Sequence, residues 1–199
     1  TRVNFEKSVN SDNTMFISQQ RRKENIAEYL LYMWQIEDII RANNFSIEEI
    51  EKNLISVYEL SDKQRHEYVE WFDNLINMMR AENVISQGHL QINNNVLIKL
   101  TDLHNQLIKS DKFPTYVAEY YRTLPIIVEL RAKSGQHKSG EIETCFNALY
   151  GLMMLRLNKK EVSPETLIAF NQISKFVATL AAYFKKDEEK PLFDNDDEK

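Results

Sequence analysis

Residues 25–42, NIAEYLLYMWQIEDIIRA, leave few folds open to this chain. At about 100° per residue Tyr29, Tyr32, Met33, Ile36, Ile39 and Ile40 share one broad apolar arc. Leu30 and Trp34 carry that arc past the single stripe of an ordinary surface helix. A helix that is apolar over most of its circumference must be covered by other elements. Glu37 and Arg41, four apart, fall between Ile26, Leu30 and Trp34. A Glu37–Arg41 ion pair is therefore expected inside the packing, because a carboxylate among apolar neighbours loses its hydration unless it is paired.

What covers that helix must itself be helical. Four glycines and four prolines in 199 residues provide few turns, while Leu, Ile, Glu, Lys, Asn and Gln abound. The expected architecture is an all-α, single-domain bundle of about seven helices over residues 15–186, with central helices at 25–42, 113–134 and 142–157. Residues 1–14 are polar and without period, and are expected to form a flexible arm; Met15 stands as a candidate native start, which N-terminal mass analysis would check. Residues 187–199 form an acidic tail expected to be disordered, apart from a docking contact by Leu192 and Phe193.

Charge and cysteine usage narrow the function classes. A net charge of −5 and a sequence pI near 5.5 disfavour non-specific binding to nucleic acid or anionic lipid. No uninterrupted apolar run reaches the roughly 18 residues of a membrane span, and the first fourteen residues lack the apolar centre of a signal peptide. The single cysteine, Cys145, lies in an apolar run and reads as a small core residue in a reducing compartment. The expectation is a cytoplasmic protein with neither nucleic acid nor membrane as partner.

Further along, Asn43-Asn44 ends the first helix and Ser46 caps a short second one, whose apolar edge is Ile47, Ile50, Leu54 and Val57. Ser61 with Gln64 matches the reciprocal capping pattern of a third, carrying Tyr68, Phe72, Leu75, Ile76 and Met79. Asp62, His66 and Glu70 on that helix are spaced like metal ligands, but charged neighbours mark the face as solvated. The fourth helix begins between Ser86 and Asn95 and places His104 within an apolar face of Leu100, Leu103 and Leu107. Phe113-Pro114 starts the fifth, where Pro125 removes the amide that would bond the Tyr121 carbonyl. Ser139 is expected to cap the sixth, Gly151 to permit close helix approach within it, and Ser163-Pro164-Glu165 to start the seventh.

Catalytic and cofactor signatures do not emerge. G-x-G-x-x-G, G-x-x-x-x-G-K, H-E-x-x-H, paired cysteines and Glu-x-x-His are all missing, so no metal or cofactor is expected. The helices read as buried nevertheless carry polar groups: Glu28, Glu37, Asp38, Arg41, His89, Asp102, His104, Tyr121, Glu129, Arg131, Glu143 and Asn147. Two readings follow. In the leading one these groups fix packing, and the chain is a non-enzymatic module that binds another protein or a second copy of itself. In the alternative, Glu37, Arg41, His104, Tyr121 and Arg131 line a pocket between the first, fourth and fifth helices that binds a small polar molecule or acts on it.

Five segments carry a resemblance to a known family: NIAEYLLYMWQIEDIIRA (25–42), MMRAENVISQGHLQIN (78–93), LTDLH (100–104), LPIIVELRAKSG (124–135) and ETCFNALYGLMMLRL (143–157). Over residues 15–186 the chain resembles the bacterial family described as domain of unknown function 4924. The resemblance implies a helical cytoplasmic protein and carries over no catalytic residue.

Overall fold

The computed structural model describes residues 22–134 and 139–193. The N-terminal arm, the middle of the loop before the sixth helix and the last six residues of the tail lie outside the described residues. Among the described residues seven α-helices of seven residues or more follow one another: α1 (Ile26–Ala42), α2 (Ile47–Asn53), α3 (Asp62–Ala81), α4 (Gln91–Lys109), α5 (Pro114–Ser134), α6 (Glu141–Leu157) and α7 (Pro164–Glu189). Among the described residues there is no strand. The chain is all-α.

Local chemistry explains most boundaries. Ser61 accepts from the Gln64 amide while the Gln64 side chain accepts from the Ser61 amide, closing the capping box of α3. Ser163 accepts from the Thr166 amide with Pro164 at the first helical position of α7. Asn44, at φ 55°, takes the left-handed turn that ends α1. Three expectations need correction. α2 stops at Asn53 and gives way to a 3-10 turn, Ile55–Val57, which leaves Val57 67% exposed rather than on an apolar edge. Gly140, not Ser139, caps α6, without a side-chain hydrogen bond. Gly151 is exposed, and a Cβ there would meet nothing within 4 Å, so it mediates no close approach.

The chain resolves into two compact units. In the first, residues 22–24 and 28–96 among those described, the buried side of α3 presents Tyr68, Phe72, Leu75, Ile76 and Met79 as its spacing predicts. Leu30, Trp34, Ile36 and Ile40 of α1 are likewise 2% exposed or less. In the second, residues 25–27 with 97–193, α5, α6 and α7 pack against one another around Tyr116, Ile127, Cys145, Phe146, Ile173, Phe176 and Leu180.

α7 departs from expectation at both ends of its role. It runs to Glu189, past the expected boundary at 186; beyond it the Leu192 amide donates to the Asp187 carboxylate (2.8 Å) and the Phe193 ring lies 5.6 Å from that of Phe113, where a docking contact by these two residues is expected. By length and composition α7 is also apolar enough to cross a membrane. Asn171, Gln172 and Lys175 interrupt its apolar runs, which is why a run-length reading passed over it. Its apolar stripe of Ile173, Phe176, Val177, Leu180 and Phe184 is buried within the second unit.

Candidate functional site

The first unit holds a carboxylate with almost no access to water. Glu37 is 1% exposed and accepts three hydrogen bonds from the start of α4: His89 Nδ1 (2.6 Å), the Leu90 amide (3.0 Å) and Asn93 Nδ2 (2.6 Å). The first amides of a helix have no partner within it, so an acid there is both hydrogen-bonded and favoured by the helix dipole. Glu82 does the same from outside, accepting from the Gln91 amide (2.6 Å). His89 is held a second time, its ring stacked on Trp34 at 4.1 Å and 10°. The Asn93-Asn94-Asn95 run, poor in a helix interior, belongs to this first turn: Asn94 donates to the His89 carbonyl and Asn95 accepts from Gln91.

Arg41 is not the partner of Glu37. Its guanidinium turns to Asp38 (2.8 Å) and to the carbonyls of Val84 (3.1 Å) and Gly88. The reason is supply: His89, Leu90 and Asn93 saturate Glu37 from another element, and Arg41 finds a carboxylate one turn away and two free carbonyls in the 83–90 segment. Gly88, at φ 86°, allows the backbone turn that aims its carbonyl at Arg41.

The second unit encloses an aromatic cluster around His104 of α4. Tyr116 OH lies 2.8 Å from His104 Nδ1, and the rings of Tyr120 and Phe176 stand edge-on to the imidazole at 4.9 and 5.8 Å. His104 Nε2 points to the Glu141 carboxylate at 3.7 Å, which favours the proton on Nε2 and lets the Tyr116 hydroxyl donate to Nδ1. Tyr120 OH donates to the same carboxylate (2.8 Å). Burial lowers the His104 pKa, against the upward pull of Glu141; burial also pushes the Cys145 thiol and the Tyr120 hydroxyl up to about 12. At neutral pH the cluster is an uncharged histidine, two phenols and a thiol beside one acid. Cys145 is thus the inert core thiol its surroundings predict.

The low pKa of His104 sets a pH dependence. The folded state resists protonation, so its contribution is complete above the unfolded value of about 6.5 and is lost as pH falls toward the folded value. The melting temperature should fall as the pH drops below about 6.5, and His104→Gln should flatten that limb; parallel curves for both proteins would refute the assignment.

A third cluster was not foreseen. Glu119 of α5 is 6% exposed and accepts from Gln172 Nε2 (2.7 Å) and Lys175 Nζ (3.1 Å) of α7, while Gln172 also donates to Thr123 Oγ1 (3.0 Å). Burial would raise the Glu119 pKa, but the bonds from Gln172 and Lys175 and the charges of Lys175 and Arg122 outweigh it and hold the carboxyl below its ordinary value.

Of the five pocket residues proposed from sequence, Glu37 and Arg41 belong to the first unit and His104, Tyr121 and Arg131 to the second. The tyrosines that meet His104 are Tyr116 and Tyr120, while Tyr121 is 63% exposed. Arg131 is half-buried. Of the wider polar list only Glu37 and His104 are buried; Arg41, His89, Arg131, Glu143 and Asn147 are half-buried, and Glu28, Asp38, Asp102, Tyr121 and Glu129 are exposed. Asp62, His66 and Glu70 are exposed, and no group of three acids, histidines or cysteines among the described residues could hold a metal ion.

The profile of the family described as Domain of unknown function (DUF4924) matches residues 15–191. The chain belongs to this family. No curated protein and no solved structure matches it. All three clusters of this DUF4924 protein lie inside the matched span.

One feature of the surface stands apart from these closed clusters. The exposed positions of α5 are Pro114, Thr115, Ala118, Tyr121, Arg122, Pro125, Val128, Glu129, Ala132 and Lys133. At helical spacing the apolar ones run down the middle and the polar ones down one flank. Tyr121 and Val128 are 63% and 57% exposed. Ile98 and Ile168, by contrast, stand singly among polar neighbours, as surface apolar residues commonly do.

Proposed function

We propose that this DUF4924 protein is a non-enzymatic interaction module whose working surface is the outward face of α5, and that it operates in the cytoplasm. The observation that carries this reading is the continuous exposed apolar row on α5, a helix whose opposite side is anchored by Glu119, Tyr116 and Ile127. A contiguous water-facing apolar row marks an interaction surface in a way that apolar residues standing singly do not. The polar clusters support the same reading. Glu37 and Glu119 spend their acceptors on protein donors, and His104 is buried at 2% exposure, so these groups act as fasteners within their units.

A photo-activatable amino acid at position 121 tests the reading in living cells. A protein adduct at position 121, with none at position 98 or 168, is the expected result. Equal labelling at all three positions, or none at 121, would refute it.

A further inference from the structure

Resting on that reading of α5, we propose that the partner on this face is a second copy of the chain, its α5 running antiparallel about a two-fold axis at Pro125. Pro114, Ala118, Tyr121, Pro125, Val128 and Ala132 succeed one another at alternating steps of four and three residues. That is the seam of paired helices, where a mean step of about 3.5 residues keeps the apolar row against its neighbour.

The row is symmetric about Pro125 in a way that suits an isologous contact. An antiparallel two-fold there sets Ala118 against Ala132 of the other copy, two small side chains that let the backbones approach at both ends. Tyr121 comes over Val128 of the other copy, a flat ring on a branched side chain.

Charge selects the direction. Arg122 and Glu129 lie seven residues apart on the same flank, both exposed, with Glu119 and Lys133 as their intrachain partners. Antiparallel two-fold pairing brings like flank to like flank, so Arg122 of each copy faces Glu129 of the other, twice over. Parallel pairing would instead set this charged flank against the opposite one, where Val117, Leu124 and Arg131 are half-buried, so that Arg122 would meet no acid. Antiparallel pairing alone gives both Arg122 and Glu129 a partner of opposite sign. One pair of helices of nearly six turns is a small contact beside the about 1,200–2,000 Å² of a standard interface, so the association is expected to be weak and concentration-dependent.

Sedimentation velocity of the full chain across a concentration series tests the proposal. The weight-average coefficient should climb from monomer toward dimer, and Tyr121→Glu with Val128→Glu should hold it at the monomer value throughout. Arg122→Glu alone should weaken association at least about tenfold, since it sets like charges together at two symmetric places, and Arg122→Glu with Glu129→Arg should restore it to within about threefold. A strict monomer overturns the proposal, as does a dimer indifferent to Tyr121→Glu with Val128→Glu, or a charge swap that fails to restore. Cross-links from position 121 to a different protein, or to another segment of its own chain, overturn self-pairing too. A cross-link from position 121 to a different protein leaves the interaction reading standing while self-pairing falls, whereas no protein adduct at 121 ends both.

Discussion

Glu37→Ala should lower stability by about 3–5 kcal/mol, a melting shift of roughly 10 °C in a protein of this size. Removing this carboxylate leaves the Leu90 amide and the Asn93 side chain without an acceptor at 0% exposure, and frees His89 from one of its two restraints. An unpaired buried donor costs more than the bond it made is worth, which is why the effect is large. Glu37→Gln supplies the control. Its carbonyl can take the bonds from Leu90 and Asn93, and its amide can donate to His89 Nδ1 in the other tautomer, so the loss should shrink to about 1 kcal/mol. Thermal unfolding of the two variants checks this. Equal, large losses would mean that the negative charge rather than the bonding pattern holds the start of α4 in place.

Phe176→Ala should cost a similar amount, about 3–5 kcal/mol, for a different reason. Its ring is 0% exposed and packs near His104, Tyr116 and Tyr120, so truncation opens a void lined by the imidazole and both phenols. Phe176→Leu, which keeps most of the volume, should cost about 1.5 kcal/mol or less. Water entering the void should also raise the His104 pKa toward its ordinary value, because burial is what lowers it. Proton NMR titration of the histidine in Phe176→Ala, read beside the melting curve, would show both effects; an unmoved pKa would mean that another contact shields the ring.

Most of the secondary structure was legible because it is written in short-range patterns. Apolar residues at helical spacing placed Tyr68 through Met79 on the buried side of α3, and Ser61 with Gln64 and Ser163 with Pro164 marked two helix starts by chemistry that spans three residues. The clusters were legible only in part, because their partners come from distant segments. Four-residue spacing paired Glu37 with Arg41, whereas the bonds that saturate Glu37 come from residues 89–93. Glu119 was missed altogether, since nothing near it hints at Gln172 and Lys175 more than fifty residues on. Tyr120 and Tyr121 were indistinguishable in a segment apolar on every side. About 100° of helical rotation sends one to His104 and Glu141 and the other into solvent. The outward row on α5 was illegible for the same reason: apolar residues on every side of a helix do not tell which of them the chain's own elements leave exposed.

On the function proposed above, stability resides in the closed clusters and association in the outward face of α5. One variant separates the two. Tyr121→Glu with Val128→Glu, melted at low concentration and then assayed for association and for cross-linking through a probe at position 125, should unfold within about 2 °C of the parent, as surface changes do, while losing its partner. A variant that melts far below the parent yet still associates would contradict the account, placing these side chains in the framework and the contact elsewhere.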